Sequence, residues 1–191
     1  NTEHHEFVVE ARAAELLPEL VWHMDEPFAD ASALPTYLLA QLAKEHVTVV
    51  LTGDGGDECF AGYDSYRAER WLRAYRTVPG VIRSLFEASL QNRREDTSRT
   101  ALFRRAKRFV EKGHLPFERR EWRMMWSEAS KSSLYRPEFA SRVGNRDSLD
   151  RRADAFADWR SLDPVTRLQL WDLTVYLPDD LMVKTDRMTM A

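Results

Sequence analysis

Asp54, Asp57 and Glu58 share one turn with Gly53, Gly55 and Gly56, directly after the run Val47-Thr-Val-Val-Leu-Thr52. Glycines so placed let the backbone take positive φ and present N–H groups to an anion. The carboxylates add hard oxygen ligands, the kind Mg²⁺ takes when it shares a polyphosphate. Phosphate and metal binding is therefore the chemistry that these residue types can do. Two other readings of the same residues stay open. One is an ordinary strand-to-helix turn with Asp57 as the helix N-cap. The other is a calcium turn, although calcium-binding β-helices repeat their motif and this chain shows it once.

The elements that must position the turn follow from periodicity. Val47–Thr52 is too short for a helix and rich in valine, so it reads as a strand buried on both faces. Its carboxyl end is where an α/β sheet places ligands. Glu6-Phe-Val-Val9 is a second candidate strand. Between the two, Leu16, Leu17, Leu20, Val21 and Met24 fall at helical spacing, with Pro18 expected to kink or split that helix. Asp25-Glu-Pro27 ends it. Ser32 then caps a second helix, with Pro35 in its first turn and Leu34, Tyr37, Leu38 and Leu42 on its buried face. Strand, helix, helix, strand over 6–52 predicts parallel strands in a three-layer α/β/α arrangement.

After residue 56 the chain reads as mostly helical. A helix over Tyr63–Arg76 breaks at Pro79-Gly80, and another runs through Leu90. Thr97 or Ser98 starts a third, striped by Leu102, Phe103, Ala106, Phe109 and Val110, with Gly113 as its C-cap glycine. Trp122, Trp126, Trp159 and Trp171 supply a helical core. Asp163-Pro164 is an N-cap followed by proline at the first helical position, opening a stripe of Val165, Leu168, Trp171 and Val175. Pro178 opens the final helix, with Asp179 and Asp180 near its positive end.

Composition narrows the function classes. The chain has 191 residues, 43% hydrophobic and 31% charged, with a net charge of −3. That balance favours one soluble domain and does not recruit nucleic acid or an anionic membrane. The basic-rich segment over 93–123 alternates with an apolar stripe and reads as a solvated helix face. Cys59 is the single cysteine, so no internal disulfide or cysteine-rich zinc site can form. His4 and His5, neighbours on a strand, point to opposite faces and make a poor metal pair even with His23. No apolar run approaches the length of a membrane span, so a cytoplasmic protein is expected. The start at Asn1 and the end at Met188-Thr-Met-Ala191 suggest a piece of a longer protein.

Three blocks in one order carry a resemblance. They are Asp25-Glu-Pro-Phe-Ala-Asp-Ala-Ser-Ala-Leu-Pro-Thr-Tyr37, Val50-Leu-Thr-Gly-Asp-Gly-Gly-Asp-Glu-Cys-Phe-Ala-Gly-Tyr63 and Tyr176-Leu-Pro-Asp-Asp-Leu-Met-Val-Lys-Thr-Asp-Arg-Met-Thr-Met-Ala191. Together they resemble the synthetase domain of the glutamine-hydrolysing asparagine synthetases and their amidotransferase relatives. The resemblance implies ATP and Mg²⁺ as cofactors and aspartate as the acid that is adenylated. It further implies ammonia from a glutaminase domain of the same parent chain. By position, Thr52 and Gly53 match a Ser-Gly contact with ATP. Asp54 matches a carboxylate at the reacting centre, where many members have glutamate, and Asp57 matches the Mg²⁺ ligand. Lys184 and Arg187 match the helix beside the nucleotide. An (i, i+4) ion pair of Lys184 with Asp180 is the structural alternative. Glu58 is expected to face back into the scaffold, Ala61 stands where the family usually has glycine, and the fold that the resemblance implies is a fragment of a three-layer α/β/α nucleotide-binding domain.

Other family features do not occur in these residues. They are the Ser-Gly-Gly-x-Asp-Ser phosphate loop, the glutaminase nucleophile, the Glu-x-Arg-x-Pro-Phe-Leu-Asp block and the lysine beyond it. The chain is thus expected to be one partial synthetase domain over 1–191, inactive alone. Two alternatives stand beside it: amidation of another carboxylic acid, such as a sugar acid, and a non-catalytic helical interaction module. Unpaired edges at 6–9 and 47–52 would also invite a homodimer.

Overall fold

A computed structural model describes residues 4, 6, 8, 13–91, 101–120, 128–144, 147 and 149–191. Its helices begin with α1 (Ala13–Met24), α2 (Ala33–Lys44), α3 (Gly56–Phe60), α4 (Asp64–Arg76) and α5 (Gly80–Gln91). Next come α6 (Ala101–Gly113), α7 (Glu128–Leu134), α8 (Pro137–Val143) and α9 (Asp150–Asp158). α10 (Pro164–Trp171), a π-helical stretch over Asp172–Met182 and α11 (Val183–Met190) complete the order. The chain divides into two compact units, 1–60 with 172–191, and 61–171.

In the first unit α1, α2 and α11 pack around Leu20, Met24, Ala33, Tyr37 and Met188. The helical spacing of α1 is realised, but only part of its stripe is buried: Leu17 and Val21 stay exposed while Leu20 and Met24 do not. Pro18 lies inside α1 without splitting it. Tyr37 reaches across to Glu19 with a hydrogen bond of 2.7 Å, and that bond together with burial pushes its hydroxyl pKa up. Asp25 ends α1 in the left-handed region, φ 59°, a conformation that short acidic and amide side chains tolerate better than most.

The expected strand over 47–52 is not formed. Among the described residues there is no strand, and Val49 and Leu51 are 77% and 95% exposed. A strand exists by virtue of its hydrogen-bonded neighbours, and none of the described residues pairs with this segment. Apolar and largely exposed, it departs from the doubly buried strand of a three-layer sheet. Phe7 and Val9 of the other candidate strand fall outside the described residues, and Glu6 and Val8 show no pairing.

The second unit bears out the helical reading beyond residue 56. Helices α4 and α5 flank the expected break at Pro79-Gly80. Phe156, fully buried, stacks on Phe117 at 5.1 Å and meets Trp171 edge-on at 5.9 Å, with Tyr66 and Leu168 completing the core. Trp159 packs here as expected; Trp122 and Trp126, like Thr97 and Ser98, lie outside the described residues. Glu69 and Arg120 form a buried ion pair at 2.8 Å. Asp163 caps α10 as expected, accepting hydrogen bonds from the Val165 and Thr166 amides at 3.0 and 3.2 Å. The Thr166 hydroxyl adds a bond, the largest of the influences that hold the Asp163 carboxyl below its usual pKa.

One glycine and one proline serve differently from expectation. Gly113 ends α6 but has no positive φ; a Cβ there would come within 2.9 Å of Leu72 Cδ1, so close packing is what it provides. Pro178 sits within the π-helical stretch and does not begin a helix. Proline removes one N–H from the helical ladder, and wider turns are a usual way for a helix to absorb such a defect.

Candidate functional site

The glycine turn is tied to the last helix by side chains. Thr52 Oγ1 donates to Asp54 Oδ2 at 3.0 Å, and Thr185 Oγ1 of α11 donates to the same oxygen at 3.1 Å. Gly55 is the glycine of the turn that requires its freedom, with φ 88°. Gly53 and Gly56 have no positive φ, and a Cβ on either would meet nothing within 4 Å. The backbone of the turn therefore lies open where a bulky anion could approach. The Gly53 carbonyl accepts from the Gly56 amide at 3.1 Å, which closes the turn into α3.

The carboxylates divide by burial. Asp54 and Asp57 are exposed, whereas Glu58 is 1% exposed and faces back into the scaffold, as expected. Asp57 is the second residue of α3, so the N-cap reading of it fails. No group of three His, Cys, Asp or Glu among the described residues could hold a metal by itself. Two solvent-facing carboxylates on an open turn nevertheless fit Mg²⁺, which keeps waters and takes further oxygens from substrate phosphates. Asp57 would hold it.

Lys184 is 7% exposed and bonds in another direction. Its ammonium donates to Asp30 Oδ2 at 3.0 Å and to Ser32 Oγ at 2.7 Å, a salt bridge across 154 residues of sequence. The structure thus pairs Lys184 with Asp30, a partner that neither reading of the lysine had named. Ser32 precedes α2 at the N-cap position, yet its hydroxyl does not cap the helix; it donates to Asp30 Oδ2 at 2.7 Å. Burial alone would raise the Asp30 pKa, but hydrogen bonds from the Ser32 amide and hydroxyl and from Lys184 outweigh it, leaving the carboxyl below its ordinary value. Arg187 donates to the carbonyls of Met24 and His23 at 2.7 and 3.2 Å, a cation on the C-terminal end of α1 where the helix dipole favours one.

Thus the structure brings Thr52, Gly53 and Asp54 together, adds Thr185 to them, and directs the visible bonds of Lys184 and Arg187 at the 23–32 segment. Sequence reading missed Asp30 and Thr185. Each lies inside a block that carries the resemblance, and Asp30 stands two residues before a serine, the spacing of a local side-chain-to-backbone turn. A groove of about 790 Å³ beside α1, lined by Leu17, Val21, Trp22 and Phe28 among others, contains none of Thr52–Asp57. Its apolar walls suit a polyphosphate poorly. The open turn remains the better site.

Comparison with known proteins shows the family of the chain. The family model described as asparagine synthase matches residues 1–191. The chain is 31% identical over 180 residues to a protein of Bacillus subtilis named asparagine synthetase [glutamine-hydrolyzing] 1, covering 92% of this chain and 26% of that one. It is 33% identical over 180 residues, with the same coverage, to a putative asparagine synthetase [glutamine-hydrolyzing] of Mycobacterium bovis. A second putative synthetase, from Methanocaldococcus jannaschii, is 41% identical over 83 residues, 43% of this chain and 16% of its own. No solved structure matches. The chain spans about a quarter of the length of the first two relatives, 26% in each case. On the family match and these identities, the chain belongs to the asparagine synthase family.

Proposed function

We propose that this chain supplies the glycine-turn side of an ATP-dependent synthetase site that adenylates aspartate and then amidates it. The carrying observation is the convergence of Thr52, Asp54 and Thr185 on one solvent-open turn in a chain of this family. A β-carboxylate oxygen of aspartate attacks the α-phosphorus of ATP and pyrophosphate leaves. Ammonia then attacks the activated carbonyl, and AMP leaves with that oxygen to give asparagine. The ammonia comes from glutamine through a glutaminase domain of the full-length protein, in the cytoplasm.

Within this reading, Thr52 and Gly53 bind ATP, and Asp54 lies at the reacting centre and handles the protons of the ammonia attack. Asp57 holds Mg²⁺, which when bound neutralises charge on the departing pyrophosphate. An ammonium carries three N–H donors and a guanidinium five. The donors of Lys184 and Arg187 left over from Asp30, Ser32 and the α1 carbonyls are the ones assigned to the nucleotide. Val47–Thr52 takes its place in a parallel three-layer sheet in the full-length protein, which would cover the valines exposed here. No helix among the described residues is long and apolar enough to cross a membrane.

Oxygen-18 in the β-carboxylate of aspartate tests the reading in the full-length protein. Label recovered in AMP supports adenylation of aspartate. Asparagine formed without label in AMP, or AMP formed equally without aspartate, overturns it.

A further inference from the structure

We propose that Thr185 is a positioning residue for Asp54, fixing the plane of its carboxylate so that Oδ1 is presented to the reacting centre. The inference rests on the reading of Asp54 as a carboxylate at that centre. Its basis is the way two hydroxyls from distant segments meet one oxygen. Thr52 approaches Asp54 Oδ2 from two residues upstream, and Thr185 approaches from α11. Asp54 Oδ1 has no hydrogen-bond partner among the described residues. A carboxylate held by one oxygen from two sides cannot turn about its terminal torsion without breaking a bond, so the other oxygen acquires a fixed direction.

The behaviour of a second threonine one turn later sharpens the case. Thr189 Oγ1 bonds back to the Thr185 carbonyl at 2.8 Å, the usual local partner of a helical threonine. Thr185 sends its hydroxyl off the helix instead. Its neighbour Lys184 anchors α11 to Asp30 and Ser32, and Arg187 anchors it to α1, so the helix that carries the hydroxyl is itself held on two sides. Because Asp54 is exposed, water competes for these bonds in the free protein, and the Thr185 bond contributes little to stability. Once substrates exclude that water, orientation of the carboxylate matters to rate.

The test uses the full-length protein and steady-state pyrophosphate release with aspartate. Thr185→Val, which keeps shape and removes the hydroxyl, is expected to lower kcat about tenfold, with KM for ATP within about twofold. Thr185→Ser, which restores the hydroxyl, is expected to return kcat to within about twofold of wild type. Added to Asp54→Asn, Thr185→Val is expected to cause no further loss, since the two act as one unit. The proposal is overturned by wild-type kcat in Thr185→Val, by a serine variant as impaired as the valine one, or by an additive loss on Asp54→Asn. If Thr185→Val does not fold, Thr185→Ala and its double mutant with Asp54→Asn take its place and are judged by the same outcomes. Failure of the underlying reading looks different: Asp54→Asn then matches wild type, or release ignores aspartate, and both claims fall together.

Discussion

Thr185 donates a hydrogen bond of 3.1 Å to Asp54 although 131 residues separate them in sequence. One position earlier on the same helix, Lys184 bonds to Asp30 and Ser32. Consecutive helical residues point about 100° apart, so one turn of α11 can reach two different segments at once. The turn that carries the carboxylates and the segment before α2 are thereby fixed to a common helix.

Removing Lys184 should therefore be costly. Lys184→Met leaves Asp30, whose side chain is 25% exposed, without its cation; a stability loss of about 2 kcal/mol is expected, below the range for a fully buried pair. Asp30→Asn, which keeps an acceptor for the ammonium, should cost less than Asp30→Ala. Urea denaturation of the three variants checks the order.

The same pair gives a pH dependence whose sign is fixed. The folded Asp30 pKa lies below its unfolded value of about 3.9. Its contribution is then complete above the unfolded value and is lost as pH falls through the folded one. Wild-type stability should decline on acidification below about pH 4 more steeply than that of Asp30→Asn, measured by denaturation from pH 6 down to 3.

Ala61 has φ 56°, a left-handed conformation that costs a residue with a Cβ about 1 kcal/mol or more. The Ala61→Gly substitution relieves that strain, partly offset by the greater freedom of the unfolded chain and the loss of a methyl from the second core. A net gain of about 0.5 kcal/mol is expected, and Ala61→Val should lose at least about 1 kcal/mol. Thermal melts of both variants test it.

In the second unit, Glu69 and Arg120 are 3% and 4% exposed at their side chains. Glu69→Ala leaves a buried guanidinium and should cost about 3–4 kcal/mol. The double substitution Glu69→Leu with Arg120→Met, which removes both charges, should recover most of that loss. A double-mutant cycle by chemical denaturation measures the difference.

What the sequence made legible was local or carried by a block. Asp163-Pro164 announced the start of α10 because capping is decided within four residues. Leu20 and Met24 announced the buried face of α1 through spacing alone, though Leu17 and Val21 show that a stripe does not say how wide its burial is. The Val47–Leu51 segment forms no strand among the described residues for a physical reason: β-branched residues give strand preference, but pairing depends on neighbours that no local pattern encodes. Gly113 was placed at the right helix end with the wrong cause, since the contact with Leu72 comes from a helix far away in sequence. The turn at Gly53–Asp57 was visible as chemistry. The partners Asp30 and Thr185 were not, because only folding brings residues 30, 54 and 185 into one unit.

The most direct measurement is pyrophosphate release by the full-length protein supplied with Mg-ATP and glutamine, with and without aspartate. The account predicts release that depends on aspartate and falls at least about a hundredfold in Asp57→Ala, through loss of the Mg²⁺ ligand. Release by folded protein that is indifferent to aspartate, or an Asp57→Ala variant that matches wild type, would contradict it.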